Sequence, residues 1–378
     1  MATDMSLESV ISNFNKSCKQ EVIRVGLDYI DVPRIPTGIP RLDYMTYGGI
    51  PRGHVVEFNG TENGGKTTTA VSVCAQAQKL FQKEWEDELA ELREIKKPTK
   101  EQTARITYLE NRGPLLVLFI DSEHSFDEDW AQLQGMDTDS TVFIKPYQQS
   151  AEQVLQVVLD CIDTGEIGLA VLDSIATLVS KQAMEKTLEE KTYGGISGVL
   201  ATFSPKLANS CAKTGCAFIG INQLRDDLSN PYGGTKTTGG RAWRHICLGR
   251  FAFRKGRFVD SGNKEVSSTT DSPAGNIVQV SVEKTKYFKP NRRLGQFIIN
   301  YTSGMDTMYD YIQLGIQYQV IIQSGAWFTF MDPATGEVLV DSDGKEYKVC
   351  GIAALPDYIQ SNEVVYNVLN TVLQNLFS

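Results

Sequence analysis

A glycine-rich segment constrains this chain more than any other feature of its sequence. Residues 58–71 read Phe-Asn-Gly-Thr-Glu-Asn-Gly-Gly-Lys-Thr-Thr-Thr-Ala-Val, and they contain a complete G-x-x-x-x-G-K-T phosphate loop. The apolar stretch Val55–Phe58 precedes this loop, and an Ala- and Val-rich stretch with helical character follows it. A strand, a phosphate loop and a helix in this order are typical of α/β proteins that bind nucleoside triphosphates.

We expect the loop to bind ATP. Its backbone can turn successive N–H groups toward the β-phosphate, Lys66 can span the β- and γ-phosphates, and the Thr67 hydroxyl can ligate Mg²⁺. ATP and Mg²⁺ are therefore the expected cofactors. The ATP-binding residues predicted from the loop are Gly60, Thr61, Glu62, Asn63, Gly64, Gly65, Lys66, Thr67 and Thr68.

Composition excludes several other classes of protein. The seven cysteines are scattered, odd in number and without a C-x-x-C pair, so they indicate neither a disulfide framework nor zinc. The N-terminus carries no basic region followed by an apolar core, and no apolar run approaches membrane-spanning length. We expect a soluble cytoplasmic protein with no membrane partner. The net charge of −9 argues against nucleic acid as a partner only if the charges are evenly spread.

The order of apolar stretches predicts an α/β fold with a mainly parallel sheet flanked by helices. Strand-like runs alternate with helical stretches from residue 37 to about 300, and Leu115–Ile120 is apolar throughout, as in a strand covered on both faces. From Arg250 onward the strands look hairpin-like. We predict three parts: an N-terminal helix-strand arm (1–35) with its strand at Val22–Val25, a core (36–304) and a small α+β C-terminal domain (305–378). The C-terminal domain should contain a hairpin of Trp327–Phe330 and Val338–Val340 and a final helix with an apolar stripe of Tyr366, Leu369 and Leu373 that faces the core.

The segment 79–112 looks like an insertion into this core. It holds eight acidic and eight basic side chains and almost no strand signal. Phe81, Trp85, Leu89 and Leu92 recur at helical spacing, and Thr99 with Gln102 forms a capping box for a second helix. A solvated helical hairpin and a partner-docking surface are both consistent with this pattern.

Carboxylates and amides at strand ends supply the rest of the predicted ATP site. Asp173 ends the strand Leu169–Leu172 and is expected to hold Mg²⁺ through water, together with Thr67. Glu123, which follows another strand end, is the candidate general base for the attacking water, and Asp121 is assigned a structural role. Gln223 closes a third strand, where its amide can contact the γ-phosphate.

These pieces, in this order, resemble the RecA recombinase family over roughly residues 35–330. The matching segments beyond the phosphate loop are Ile120–Asp127, Leu172–Ile175, Ile221–Arg225, Thr237–Gly240 and Lys284–Lys286. The resemblance implies a RecA-type ATPase core that polymerises on single-stranded DNA when ATP is bound. It also implies a catalytic set of Glu123, Lys66, Lys284, Lys286 and Gln223, in which Gln223 senses the γ-phosphate and the two later lysines reach into the neighbouring subunit's ATP site. By the same resemblance, Asp127 and Trp130 contact the adenine.

The distribution of charge supports a DNA-binding interpretation. From Asp227 to Asp260 no acidic residue interrupts seven basic ones, which repel one another unless an anion joins them. The Gly-rich stretch Ser229–Gly240 occupies the place of the family's second DNA loop, and Leu188–Gly195 that of the first, where Tyr193 can stack on bases. The helix after the first loop lacks the family's usual basic residues, a departure for which arginines elsewhere can compensate. The predicted DNA-binding residues are Tyr193, Gly194, Arg225, Tyr232, Gly239, Gly240, Arg241 and Arg244.

The leading hypothesis is an ATP-dependent homologous recombinase. Such a protein forms a helical homo-oligomeric filament on single-stranded DNA and pairs it with homologous duplex DNA for strand exchange. The resemblance also implies mediator and single-strand-binding proteins as partners. The insertion and the altered C-terminal segment suggest a divergent member of the family from a phage, acting in the host cytoplasm. Two alternatives remain on the same core: a ring-forming DNA translocase or helicase, and a DNA-independent signalling ATPase switched by nucleotide.

Overall fold

The computed structural model describes residues 7–18, 32–187, 195–226 and 234–377. Residues 1–33 form one compact unit and residues 34–378 another. In the first unit, the predicted N-terminal helix is confirmed as α1 (Leu7–Cys18), whose apolar residues include Leu7 and Phe14, both well exposed. The strand predicted at Val22–Val25 lies outside the described residues.

The second unit alternates strands and helices through its first half and turns to antiparallel strands in its second. The strands are β1 (Arg34–Ile35), β2 (Ile50–Pro51), β3 (Val55–Gly60), β4 (Leu116–Asp121), β5 (Thr141–Ile144), β6 (Ile167–Asp173), β7 (Ala217–Asp226), β8 (Thr235–Thr237), β9 (Gly249–Val259), β10 (Glu265–Val266), β11 (Gly275–Thr285), β12 (Leu294–Asn300), β13 (Gly304–Met305), β14 (Ile321–Ser324), β15 (Trp327–Phe330) and β16 (Lys348–Cys350). The helices are α2 (Pro40–Thr46), α3 (Lys66–Glu94), α4 (Lys100–Arg112), α5 (Glu128–Leu133), α6 (Ala151–Asp163), α7 (Lys181–Met184), α8 (Gly195–Thr214), α9 (Gly240–Ile246), α10 (Thr307–Gln317), α11 (Leu355–Ser361) and α12 (Glu363–Phe377), with short 3₁₀ turns at Ile175–Thr177 and Ile352–Ala354.

The central sheet has the strand order β13-β12-β11-β9-β3-β7-β6-β4-β5. The strands from β9 to β5 pair in parallel, whereas β9, β11, β12 and β13 pair antiparallel. This confirms the predicted α/β class and the change to hairpin-like strands after Arg250. Because parallel strands point the same way, the ends of β3, β4, β6 and β7 lie at one edge of the sheet and bring the predicted site residues together.

Apolar side chains cover both faces of the sheet, as the apolar runs of β4 and β6 predict. One core includes residues of α2, α3, α10 and α12, and the other includes residues of α6, α8 and α9. The largest fully buried side chain is Trp243 of α9, in the second core. Among the described residues, no helix is long and apolar enough to cross a membrane.

The charged segment 79–112 is a helical hairpin, as predicted. The second half of α3 packs with α4, and the capping box of Thr99 and Gln102 begins α4. Phe81 and Leu89 are buried beneath the hairpin, and Trp85 Nε1 donates to Leu109 O at 2.8 Å. Exposed ion pairs such as Arg105–Glu88, at 2.7 Å, join the two helices.

The C-terminal residues differ from prediction in two details. The second strand expected at Val338–Val340 forms only isolated bridges, and β15 pairs instead with β14 and β16. The pattern predicts a buried Tyr366 in α12, but this side chain is 38% exposed and Val365 is buried in its place. Leu369 and Leu373 are buried as predicted, so only the first position of the stripe differs, and Tyr366 stacks on Tyr311.

A buried carboxylate in α10 gives the fold a predictable pH dependence. Asp310 is fully buried; its Oδ2 accepts from Arg41 N at 3.0 Å, and its Oδ1 has no hydrogen-bond partner among the described residues. Burial raises the pKa of Asp310 to about 8, and the negative charges of Asp306 and Asp43 act in the same direction. Burial likewise raises the pKa of Asp43 to about 6.

We predict that Asp310→Asn stabilises the chain at pH 8 and much less at pH 5. A raised carboxyl pKa means that the folded state binds the proton more tightly than the unfolded state, so stability is lost as pH rises from about 4 to about 8. The neutral amide removes this loss, which amounts to about 2–4 kcal/mol between pH 5 and pH 8. Thermal unfolding followed by circular dichroism at both pH values measures it. An equal change in melting temperature at both pH values would contradict the assignment.

Candidate nucleotide-binding site

The phosphate loop lies where β3 meets α3. Gly60 has φ of +151°, and a Cβ atom there would lie 2.0 Å from the carbonyl oxygen of Phe253 in the neighbouring strand β9. Only glycine fits so close to another backbone. The loop, from Glu62 to Thr68, lines a cavity of about 390 Å³ that also contains Glu123, Asp173 and Gln223. The structure therefore brings the predicted phosphate-binding and strand-end residues into one cavity.

The Lys66 ammonium occupies the loop itself. Its Nζ donates to the carbonyl oxygens of Thr61, at 2.6 Å, and Gly60, at 3.3 Å, and the residue is only 8% exposed. Burial lowers the pKa of Lys66, and the negative charges of Asp173 and Glu123 partly offset that effect. A cation held by neutral carbonyls in a polar cavity is well placed to exchange those contacts for phosphate oxygens.

Thr67 and Asp173 form the pair predicted to hold Mg²⁺. Thr67 Oγ1 donates to Asp173 Oδ2 at 2.6 Å, so a hydroxyl and a carboxylate oxygen meet beside the phosphate loop. Burial raises the pKa of Asp173 to about 6, and the charges of Glu123 and Asp121 add to that effect. A buried carboxylate amid other carboxylates and next to a hydroxyl is an oxygen donor set that suits Mg²⁺. The residues present therefore fit the ion.

Glu123 is held from two sides at the same cavity. Ser174 Oγ donates to Glu123 Oε1 at 2.5 Å, and Gln223 Nε2 donates to the same oxygen at 2.9 Å. These hydrogen bonds come from Ser174, just beyond β6, and from Gln223, within β7, so the carboxylate bridges both strands. The expectation that Gln223 closes its strand is wrong, because β7 continues to Asp226 and its last residues pair with β8. Asp121 accepts from the backbone N–H groups of Ser125 and Phe126, which agrees with the structural role predicted for it.

Asp127 and Trp130, the predicted adenine contacts, do not line the nucleotide cavity. Asp127 Oδ1 accepts from Trp130 N at 2.9 Å and so caps α5, a function that sequence reasoning did not assign to it. Trp130 is half-buried, and its Nε1 donates to Thr68 Oγ1 at 3.2 Å. The indole is therefore attached to the phosphate loop.

A second cavity, of about 480 Å³, collects basic side chains. It is lined by Arg241, Arg244, His245, Arg250, Lys284 and Lys286. Lys284 Nζ donates to the carbonyl oxygens of Arg244, at 2.6 Å, and His245, at 3.1 Å, near the end of α9. Burial lowers the pKa of Lys284, and Lys286 lowers it further. Two arginines predicted to bind DNA thus share a cavity with the two lysines predicted to act on a neighbouring subunit.

The expectation of seven basic residues without a counterion is wrong for at least two of them. Arg250 pairs with Glu57 and, at 3.2 Å, with Glu283, and Arg257 pairs with Glu265 at 2.5 Å. The acidic partners come from β3, β10 and β11, which the local charge pattern could not reveal. Arg250 therefore has a structural role in addition to lining the basic cavity.

The other predicted DNA-binding residues divide into two groups. Tyr193, Gly194 and Tyr232 lie outside the described residues. Of the rest, Arg225 donates to Ala176 O at 3.2 Å, in the turn that follows Ser174, and Gly239 and Gly240 have φ of +106° and +70° where β8 leads into α9.

Sequence reasoning missed Ser174 and Ser125 as site residues. Ser174 directly follows Asp173, and Ser125 lines the nucleotide cavity after the end of β4. The signal that could have found both is their position just beyond the carboxyl end of a parallel strand. Among the described residues, no group of three or more His, Cys, Asp or Glu side chains could hold a metal ion.

A phosphate loop after a central strand, with a carboxylate ending a strand two places away, defines a P-loop nucleoside triphosphatase. The profile of the RecA N-terminal domain family matches residues 4–83 and 102–306, and the unmatched residues between them fall within the charged hairpin. A Protein RecA of Clostridium acetobutylicum is 30% identical over 339 residues, covering 89% of this chain and 84% of the relative. A Protein RecA of Clostridium tetani is 28% identical over 372 residues, covering 97% and 90%.

The chain belongs to the RecA recombinase family. A third relative, the Protein RecA of Chloroherpeton thalassium, is 28% identical over 337 residues, covering 88% of this chain and 81% of that one. The predicted family is thus confirmed, and with it the DNA-dependent ATPase class and a function in recombination and repair.

Proposed function

We propose that this chain binds Mg-ATP, assembles as a helical filament on single-stranded DNA, and exchanges that strand with a homologous duplex. The observation that carries the proposal is the presence of two complementary cavities on one subunit. The nucleotide cavity contains Lys66 and Glu123, the basic cavity contains Lys284 and Lys286, and the two share no lining residue. A head-to-tail assembly can place the basic cavity of one subunit against the phosphates bound by the next.

Within the nucleotide cavity each side chain has a separate task. Lys66 binds the β- and γ-phosphates, and Thr67 and Asp173, the latter through water, would hold Mg²⁺, which would supply neutralisation of phosphate charge. Glu123 accepts the proton of the attacking water. Gln223 Nε2 donates to Glu123 Oε1, and exchanging this contact for one to the γ-phosphate would free the carboxylate for the water and transmit the ATP state along β7.

The same proposal assigns the parts of the chain. Residues 1–35 act as the polymerisation arm, 36–304 as the ATPase core and 305–378 as a small C-terminal domain. Asp127 and Trp130 contact the adenine, and the segments around Tyr193 and Tyr232 bind DNA together with Arg225. Mediator and single-strand-binding proteins act as further partners, in the cytoplasm or, for a phage-encoded chain, the host cytoplasm.

ATP hydrolysis measured with and without single-stranded DNA, together with negative-stain images in a non-hydrolysable ATP analogue, tests the proposal. We expect DNA to stimulate hydrolysis and helical filaments to form on it. Rings with DNA-stimulated hydrolysis would indicate a translocase instead, and DNA-independent hydrolysis without filaments would indicate a signalling ATPase. Because neutralised phosphates release counterions, DNA affinity should also fall steeply with salt concentration.

We predict that Lys284→Ala abolishes DNA-stimulated hydrolysis and leaves nucleotide binding near normal. Lys284 does not line the cavity that contains Lys66, so nucleotide binding within one subunit should not depend on it. Its loss should affect ATP turnover only at the interface between subunits. Steady-state ATPase assays and titration with a fluorescent ATP analogue measure the two effects. Lys289→Ala, an exposed lysine nearby, is the matched control.

Mixing two inactive variants separates action between subunits from action within one. In filaments of Lys284→Ala and Glu123→Gln subunits, some interfaces combine an intact Glu123 with an intact Lys284 from the neighbour. Random order gives such an interface in about one quarter of cases, so hydrolysis should recover to that fraction. No recovery in co-assembled filaments would mean that Lys284 acts within its own subunit.

A further inference from the structure

A buried carboxylate lies at the centre of the fold, outside the nucleotide cavity. Glu57 is in β3, three residues before Gly60, and its side chain is fully buried. It does not line the cavity that contains Lys66. Burying a carboxylate is costly unless charges and hydrogen bonds compensate it, so the partners of Glu57 determine what it can do.

Three side chains from three different elements bind Glu57. Asn222 Nδ2 of β7 donates to Oε1 at 2.8 Å, and Trp243 Nε1 of α9 donates to the same oxygen at 3.0 Å. Arg250 Nε of β9 donates to Oε2. Burial alone would lower the pKa of Arg250, but the Glu57 carboxylate, together with Glu283, outweighs burial and raises it. Both oxygens of the carboxylate are satisfied.

Each partner also touches an element that the proposed function uses. Asn222 directly precedes Gln223, and its Nδ2 donates in addition to Thr238 O at 2.8 Å, where β8 leads into α9. Arg250 Nη2 donates to Thr237 Oγ1 at 3.4 Å, and Arg250 lies opposite Lys284 in the pairing of β9 with β11. The γ-phosphate sensor, the end of the second DNA loop and the basic cavity therefore meet at one carboxylate.

Close packing makes these contacts move together. Gly220 lies opposite Glu57 in β7, and a Cβ atom there would lie 2.4 Å from Trp243 Cζ2. The indole thus rests directly on the β7 backbone, and both Trp243 and Asn222 are completely buried. Protein interiors packed this closely contain almost no empty space. A shift of β7 at Asn222 and Gln223 therefore cannot occur without a shift of α9 or of Glu57.

We infer that Glu57 is a positioning residue that couples the ATP state at Gln223 to the DNA loop and the basic cavity. When Gln223 moves toward a γ-phosphate, Asn222 carries the movement to Glu57 and to the Thr238 carbonyl. Glu57 then passes it to α9 through Trp243 and to β9 through Arg250. This inference rests on the proposed function, because it supposes that nucleotide alters DNA affinity.

Glu57→Gln tests the coupling with the smallest change of shape. DNA affinity is measured by fluorescence anisotropy of a labelled oligothymidine, once with Mg²⁺ and a non-hydrolysable ATP analogue and once with Mg-ADP. The ratio of the two affinities is the coupling factor. We expect the substitution to lower this ratio by about 10-fold, within the usual range of allosteric coupling, while affinity for a fluorescent ATP analogue without DNA stays near that of the wild-type chain.

Asp310→Asn is the matched control, because it also replaces a fully buried carboxylate by an amide but lies in α10. It should leave the ratio unchanged. Trp243→Phe, which removes one N–H donor from Glu57 together with part of a buried ring, should lower the ratio by a smaller factor. This variant provides the test if thermal melting shows Glu57→Gln to be unfolded.

Three results would overturn the inference. An unchanged ratio in folded Glu57→Gln removes the coupling role and leaves the proposed function standing. A loss of nucleotide affinity without DNA would mean that Glu57 only shapes the phosphate loop. A wild-type chain whose DNA affinity is the same with both nucleotides would overturn the proposed function and the coupling together.

Discussion

Glu123→Gln is expected to slow DNA-stimulated ATP hydrolysis by about 10²–10⁴-fold and to leave ATP binding almost unchanged. An amide oxygen can still accept the hydrogen bonds that Ser174 and Gln223 donate to Glu123 Oε1, so the local geometry survives. What the amide cannot do is take a proton from water. Single-turnover hydrolysis on single-stranded DNA isolates this step from product release.

The same variant should retain the ATP-bound filament, because assembly depends on the triphosphate and not on its cleavage. Negative-stain images with ATP should therefore show filaments that persist far longer than those of the wild-type chain. Glu166→Gln is the matched control, since it makes the same chemical change at an exposed position beside the opposite end of β6. Wild-type turnover in Glu123→Gln would show that another group accepts the proton.

The parts of the site that could be predicted from sequence depend on short-range pattern and on strand direction. The residues of the phosphate loop are contiguous in the sequence, so the G-x-x-x-x-G-K-T motif alone identifies them. Glu123, Asp173 and Gln223 are far apart in the chain, but each comes after the apolar run of a parallel strand, and parallel strands bring their carboxyl ends to one edge. Ser174 lies at the same edge, yet a serine after a strand is too common to stand out.

The network around Glu57 could not be predicted in this way. Its hydrogen bonds span 165 residues to Asn222, 186 to Trp243 and 193 to Arg250, and no local pattern links these positions. In sequence, Glu57 is one acidic residue in an apolar strand and Arg250 is one member of a basic run. Only the packing of β3 between β7 and β9 shows that the two compensate each other's charge.

Burial of Asp310 and exposure of Tyr366 escaped sequence reasoning for a related reason. Both lie on amphipathic helices, where a shift of one residue around the helix exchanges buried and exposed positions. The partner that covers each helix decides the outcome, and α10 contacts α2 and α12 from opposite ends of the chain.

Lys66→Ala should abolish ATP binding more completely than any other single substitution considered for this chain. Lys66 Nζ is the cation nearest the loop carbonyls of Thr61 and Gly60, and its charge is the one that phosphate oxygens would meet first. Loss of a charge-assisted contact to two phosphates should weaken ATP affinity by about 100-fold or more, or about 3 kcal/mol.

Thermal unfolding in rising concentrations of Mg-ATP measures this loss without any need for turnover. A ligand that binds only the folded state raises the melting temperature of the wild-type chain with concentration, whereas Lys66→Ala should show almost no rise. The variant itself should fold, because it removes an ammonium whose burial already lowers its pKa. Lys83→Ala, an exposed lysine on the same helix, should respond like the wild-type chain. If Mg-ATP raised the melting temperature of Lys66→Ala as much as that of the wild-type chain, the backbone of the loop would bind the triphosphate without the lysine.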